Sequence, residues 1–590
     1  MSANFKSTLR LFKKHLARFI TIIAIVVVSI GFMSGIGEVE NKLNISLCDY
    51  YDSQNIHDLY LKSKNNYGFS ANEIEYIEDK FGSENISKTF CYDTEVDNEI
   101  LRIYSYDLKN SKINKLELLE GEFPETENEV VVERQTTAIK GYDISDKITI
   151  MNKEYSVCGI VLNPLITNKV DEPSFLDSDR SITNVVYINT ANNFLTNDIY
   201  VTLKNRDLFN AFSSEYETEI ENQKAEILNN MGSSNVEVLS LFENVGLYST
   251  RSYGEKVGQI GLIFVVFFLL VTLLVVYSTM SRLLDEERSQ IACQKTLGYS
   301  NFKIVSKYTF FVLISTVIGG LLAFGVGLAL TKLIYSAMEI QYELPAFPIT
   351  YNFAYYFATF AIILFATTIL TFATGMNIVN HKPVTLLTPK APKAGKKVLI
   401  ERIPFVWNRL SFKYKSTLRN VFLFKSRFFM TVVSVLGSSI LVLAGLGLLD
   451  NALKTENATS IIAIAIAVIV FSAALCALVV YNLTNINVSE RNREIATLMV
   501  LGYHDNEVSN YIYREIYIMS FIGAILGVPV GAGFIDFVFN FIDFGSIAEI
   551  NWWTWILAPI VTMMFSFIST LLLKPKIVKT DMNASLKTIE

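Results

Sequence analysis

The sequence predicts a mainly α-helical membrane protein: eight transmembrane helices in two parallel four-helix repeats, with one extracytoplasmic α+β domain between helices 1 and 2. Three observations predict it. Hydrophobic residues, 51% of the chain against 18% charged, gather into runs of about 20, the length that crosses a hydrocarbon core of ~30 Å. One short passage occurs twice, EERSQIACQKTLGY at 286–299 and ERNREIATLMVLGY at 490–503, each time between two apolar runs. The long stretch without such a run, residues 38–255, is polar and strand-like at its centre.

Residues 1–37 form the N-terminus and the first span. Lys6, Arg10, Lys13, Lys14 and Arg18 stand there without an acid, ahead of the apolar run Phe19–Ile36. A secretory signal pairs the same features. No Ala-x-Ala site follows, however, and KSTLR at 6–10 returns as KSTLR at 415–419, with Arg18-Phe19 returning as Arg427-Phe428 at the same offset. A cleaved leader has no reason to reappear before a later span. The run reads as a retained helix whose basic end stays inside.

Residues 38–255 read as the extracytoplasmic domain. EVVVE at 129–133, KITIMNKEYSVCGIV at 147–161 and NVVYI at 184–188 carry the β-branched, alternating pattern of strands. Gly121, Pro124, Gly141 and Asn152 punctuate them as turns. From about 205 to 250 the pattern becomes helical.

Residues 256–377 hold three spans: Val257–Tyr277, Tyr308–Ile334 and Tyr351–Met376. Gly319, Gly320, Gly325 and Gly327 in the middle one let helix backbones approach closely. The loop with Glu339 and Glu343 lacks Lys and Arg, which puts it outside. Residues 378–427 form a basic linker, with Lys382, Lys390, Lys393, Lys396, Lys397 and Arg402 among cations that face one acid, Glu401. That asymmetry places the linker in the cytoplasm, and Pro383, Pro389 and Pro392 mark a joint.

Residues 428–590 repeat the order: Phe428–Leu449, Ser460–Tyr481, Ile516–Phe541 and a last span from Trp552 to Leu573. Gly523 and Gly531 match Gly319 and Gly327, and with Gly527 they lie near one helix face. Both termini and both repeated passages then fall on the cytoplasmic side.

Each repeated passage reads as a short charged helix at the membrane surface. Ile495, Leu498 and Met499 recur at helical spacing, and Gly298 and Gly502 suit the left-handed position past a helix end. Such a helix can seat in a groove on a soluble partner. The alternative is a turn whose charges only meet lipid headgroups. Two copies in matching topological places favour docking.

The pattern E-R-x-R-E-I followed by L-G-Y and a glycine-spaced apolar helix resembles the FtsX-like permease family, the membrane subunits of macrolide-exporter and lipoprotein-release ABC transporters. The resemblance implies that the passages are coupling helices touching a separate ABC ATPase. Its ATPase-coupling residues are then Glu286, Ile291, Leu297, Gly298 and Tyr299 in the first copy. In the second they are Glu490, Arg491, Arg493, Glu494, Ile495, Leu501, Gly502 and Tyr503. The first copy departs from the pattern, with Ser289 and Gln290 where Arg493 and Glu494 stand, and Phe311 replaces the family-typical acid Glu515. The first half is therefore expected to couple less strongly, or to a different surface.

The chemistry points away from an enzyme. No G-x-x-x-x-G-K-[ST] occurs, and PKAGKK at 392–397 is not one. His15, His57, His381 and His504 have no ligand-spaced neighbours, and the five cysteines lack metal spacing. No cofactor or metal is expected, and the net charge of −6 gives no support for nucleic acid. Ionisable groups are sparse inside the spans, Asp536 being a rim charge, which disfavours an ion-coupled carrier. The expected partners are two ATPase copies, membrane lipid, and an extracellular protein or peptide cargo. Export of a peptide, lipoprotein or amphipathic drug is one reading of the function. Switching of an extracellular enzyme or sensor without moving cargo is the other.

Overall fold

The computed structural model describes residues 3–578, apart from 97–98, 135–140, 167–173, 177–179, 191–194, 210–212, 341–343, 345–346, 349–352, 389–400, 402–403, 410, 424, 456–458 and 490. The turn expected at Gly141 falls a few residues later, at Ile144–Ser145, whereas Glu343, Lys390, Lys393, Lys396, Lys397 and Glu490 fall outside the described residues. The chain divides into two compact units. One comprises residues 1–39, 256–334 and 352–590; the other comprises 40–255 with 335–351.

The first unit is helical. α1 (Ala3–Lys14) leads into α2 (Leu16–Gln54), a single helix that runs well past the apolar stretch read from the sequence. The sheet unit contributes two shorter helices, α3 (Ala71–Phe81) and α4 (Ser214–Met231). α5 (Val245–Glu286), α6 (Arg288–Thr296), α7 (Asn301–Met338) and α8 (Phe353–Val379) complete the first half. Three short helices follow: α9 (Pro383–Leu387), α10 (Pro404–Arg409) and α11 (Phe412–Leu423). The second half contains α12 (Lys425–Ala452), α13 (Thr459–Ser489), α14 (Asn492–Val500), α15 (Asp505–Ile542) and α16 (Thr554–Val578). Among the described residues, eight helices are long and apolar enough to span a bilayer: α2, α5, α7, α8, α12, α13, α15 and α16. A helix satisfies its backbone internally, which is what a lipid interior demands.

The two halves pack by the same rule, because glycine replaces a side chain where backbones meet. A Cβ on Gly319 of α7 would stand 2.8 Å from Val26 Cγ1 of α2, and a Cβ on Gly523 of α15 would stand 2.9 Å from Val435 Cβ of α12. Gly327 faces Ser34, and Gly531 faces Leu443. Val435 and Leu443 are the counterparts of Val26 and Ser34 under the alignment that pairs Arg427 with Arg18. The repeat seen in sequence is thus a repeat in packing. The halves meet through aromatic and polar contacts. Phe32 packs 5.4 Å from Phe471, Phe267 packs 4.7 Å from Phe534, and Asn482 Nδ2 donates to Thr279 Oγ1 at 2.7 Å.

The second unit is built on a mixed sheet. Its strands are β1 (Leu59–Ser63), β2 (Ile86–Val96), β3 (Glu99–Tyr106), β4 (Glu117–Gly121), β5 (Glu129–Glu133), β6 (Lys147–Ile150), β7 (Lys153–Leu162), β8 (Asn184–Asn189), β9 (Asp198–Val201) and β10 (Val236–Ser240). They run in the order β10-β1-β9-β2-β3-β8-β5-β7-β4, with β6 on β7. Alternation along the strands splits the interior in two. Ile77 and Phe81 of α3 and Ile220 and Ile227 of α4 cover Leu59, Ile199 and Val238. Ile103, Val130, Ile148, Val157 and Val186 form a second, all-β core. The α7–α8 connection belongs to this unit, with Lys42 Nζ donating to the Pro348 carbonyl at 2.8 Å and Phe347 edge-on to Tyr335. All five cysteines are free thiols.

Candidate functional site

Each repeated passage folds as a short helix, α6 or α14, closed by the same cap. Tyr299 N–H donates to the Gln294 carbonyl and Gly298 N–H to that of Lys295, both at 3.1 Å. Tyr503 N–H donates to the Leu498 carbonyl and Gly502 N–H to that of Met499, at 3.1 and 3.0 Å. This is the Schellman arrangement, and it needs a left-handed residue after the helix. Gly298 and Gly502 supply it, with φ of +84° and +92°. Open space lies where a Cβ would stand on either glycine, so backbone conformation and not crowding requires them.

The cap leaves one leucine bare in each copy. Leu297 is 76% exposed and Leu501 is 69% exposed. Tyr503 is also exposed, whereas Tyr299 is half-buried. The expected docking role does not extend to every residue of the passages. Ile291 and Ile495 are fully buried, and Ile495 packs with Val488, Val508, Ile512 and Ile516. An apolar residue one or two turns before the cap faces the neighbouring span, so these isoleucines hold the helix down and offer no surface to a partner. Among the described residues, no cluster of His, Cys, Asp or Glu forms a metal-binding group.

Arg491 is buried and forked onto Glu515. Its Nη1 reaches Glu515 Oε1 at 2.7 Å and its Nη2 reaches Oε2 at 2.5 Å. The side chains are 4% and 3% exposed. Asn420 of α11 donates to the same carboxylate at 3.4 Å. Removed from water, this pair anchors α14 to α15. For Arg493 and Glu494 the structure describes the backbone alone, and Glu490 lies outside the described residues.

The first half anchors its helix with other residues. Phe311, in the place of Glu515, is buried against Phe12 and Phe19 at 5.0 and 5.5 Å. Glu287 stands in the place of Arg491 with its side chain 1% exposed. Lys14 Nζ donates to Glu287 Oε1 at 2.7 Å, and His15 Nε2 lies 3.1 Å from that oxygen. Burial alone would raise the Glu287 carboxyl; the hydrogen bonds and charges of His15 and Lys14 outweigh it and push it down to about 2. Glu286 is likewise occupied, forked by Arg18 at 2.9 and 2.5 Å. α6 is braced from its other side. Lys295 Nζ caps the Val379 and His381 carbonyls at 2.6 and 2.8 Å, and Arg288 donates to the Thr385 carbonyl of α9 at 2.6 Å. Lys14, His15, Arg18 and Glu287 were not picked out from the sequence as parts of the site. The KSTLR repeat was the available signal, since it pairs α1 with α11 and so points both helices at the junctions they seal.

The family described as FtsX-like permease C-terminal matches residues 262–383 and again 466–582. Each half of the chain is thus similar to the FtsX-like permease family over one of these segments. Each match takes in one capped passage with spans on either side, and the eight long apolar helices among the described residues are those of a multi-pass membrane protein. No curated protein matches the sequence. Among solved structures, the extracellular domain of the noncanonic ABC-type transporter YknZ from Gram-positive bacteria matches at 10% identity and a TM-score of 0.20, over 31% of this chain and 99% of that one. The periplasmic region of MacB from Actinobacillus actinomycetemcomitans matches at 10% identity and a TM-score of 0.21, over 33% of this chain and 93% of that one.

Proposed function

We propose that this permease couples a separately encoded ABC ATPase to work at the outer face of a cell membrane, with one ATPase copy under each capped helix. The observation that carries the reading is the pair of bare leucines, Leu297 and Leu501, each set on an identical glycine cap. An exposed apolar side chain on a rigidly anchored tip is the shape that seats in a groove of a soluble partner. The basic residues of the N-terminus and linker put both tips in the cytoplasm and the sheet unit outside. Nucleotide-driven closure of the ATPase pair would move the tips only if its two states hold them differently.

The work itself is export or extraction of a peptide, lipoprotein or amphipathic drug. The second reading, switching of an extracellular enzyme or sensor, uses the same lever. ATPase assays on the reconstituted complex in liposomes separate them. Stimulation by added peptide or drug supports export; stimulation by an extracellular protein alone supports signalling. An ATPase that neither co-purifies with the chain nor responds to loss of Leu501 would remove the coupling reading.

A further inference from the structure

The anchors of the first half leave a cleft. Ser7, Arg10, Leu11 and Lys14 of α1, Glu287 and Gln290 beside α6, and Lys307 of α7 line a space of about 580 Å³. Three cations face one carboxylate there, and that carboxylate's Oε1 is already shared by Lys14 and His15. Lys307 is 9% exposed; its ammonium lies 5.3 Å from the Tyr308 ring centroid, and no hydrogen bond or ion pair joins it among the described residues. A largely buried cation held only by a ring face and a carboxylate already shared by two other bases favours an added anion.

The repeat supplies an internal comparison. The counterpart of Lys307 is Tyr511, which packs beside the Ile495 cluster and whose hydroxyl accepts from Asn420 Nδ2 at 3.0 Å and meets Ser416 Oγ at 3.3 Å. Ser416 is the counterpart of Ser7, which lines the open cleft. One half places a hydrogen-bonded tyrosine at this position; the other places a lysine on an open, positive cleft.

We propose that the cleft binds the phosphate of an anionic phospholipid headgroup, with Lys307 at its floor and Arg10 and Lys14 at its rim. A lipid is favoured over a protein surface because the floor is recessed, within reach of a small group. The apolar side chains next to the rim, Leu9, Leu16 and Ile20, are each at least half exposed and offer a track for acyl chains. Basic recesses between spans bind headgroups in this way.

The test uses the purified full chain, titrated with phosphatidylglycerol or phosphatidylcholine and read by native mass spectrometry. Phosphatidylglycerol should be retained selectively, and Lys307→Gln should weaken that retention about tenfold, the worth of one charge-assisted hydrogen bond. Arg10→Gln, at an exposed position where folding is not at stake, should weaken it in the same direction. Lys307→Tyr, which copies the second half, should abolish it. Equal retention by wild type and Lys307→Gln, or equal retention of the two lipids, would overturn the proposal. Displacement of the lipid by inorganic phosphate would overturn its lipid source. Unchanged lipid retention together with lost ATPase co-purification in Lys307→Gln would reassign the cleft to a protein contact. No ATPase is needed for the lipid measurement, so its outcome is independent of the coupling reading.

Discussion

Glu287 and Arg491 hold the same position in the internal repeat and carry opposite charges. Each is buried, and each ties the junction before a capped helix to the nearest span, Arg491 through Glu515 on α15 and Glu287 through Lys14 and His15 at the start of the chain. The duplicated domains therefore solve one mechanical problem, fixing a lever to a span, with inverted polarity. That relation turns a repeat visible in sequence into experiments on stability and coupling.

Arg491→Met alone should destabilise the protein by about 3–5 kcal/mol, because it strands the buried Glu515 carboxylate. Adding Glu515→Leu should return stability to within about 1 kcal/mol of wild type, since a packed apolar pair can replace a buried ion pair. Thermal unfolding of the detergent-solubilised chain measures both. Equal loss in the single and double variants would mean that the fork is not what holds α14.

Leu501→Ala and Leu297→Ala should leave the melting temperature within the small range of surface substitutions, about ±0.5 kcal/mol. Both should lower ATPase co-purification and coupled turnover. Ile495→Ala should instead cost about 2–5 kcal/mol of stability, as a buried large-to-small change. A loss of stability at Leu501 equal to that at Ile495 would contradict the division between surface and anchor.

Glu287 is held at about 2 in the folded protein against an ordinary value of 4.5. Its contribution to stability is then complete above pH 4.5 and fades as pH falls from 4.5 towards 2. Glu287→Gln should flatten the acid limb of the melting-temperature profile across that window and leave Arg491 variants unaffected. A parallel profile in wild type and Glu287→Gln would place the acid sensitivity elsewhere.

Gly523→Ala should destabilise by about 1–3 kcal/mol, the usual range for overpacking, because its Cβ would stand 2.9 Å from the Val432 carbonyl oxygen and from Val435 Cβ. Gly533→Ala, with nothing within 4 Å, is the matched control and should be neutral or slightly stabilising. Similar melting temperatures for the two would show that helix propensity outweighs the α12–α15 contact.

Much of this molecule is legible in its sequence because lipid and repetition leave strong marks. Eight apolar runs fall on eight long helices, two of them starting two residues ahead of the helix, and the glycines matched by alignment, Gly319 with Gly523 and Gly327 with Gly531, make equivalent contacts. The left-handed glycines were legible for a local reason, since a Leu-Gly after helical spacing leaves the chain few other conformations. The anchors were less so. Ile291 and Ile495 read as candidate contacts because helical spacing gives a face without saying what covers it. Arg491 sits within a charged pattern of the kind that marks a surface, yet its partner is 24 residues away on α15. The seal made by Lys14 and His15 depends on residues more than 270 positions from Glu287, a separation that no local pattern reports.

The inverted polarity of the two anchors also sorts the duplicates. α1 and α11 descend from the same repeat and carry the same KSTLR, so in a nascent chain either could settle on either bundle. Were α1 to settle on the later one, Lys14 and His15 would meet Arg491, and three basic groups would share one site. Were α11 to take the earlier one, Glu287 would face Leu423, the counterpart of Lys14, and lose its partner. Each error leaves a charge stranded, so correct assembly of two look-alike modules in one polypeptide is written into the sign of a single side chain.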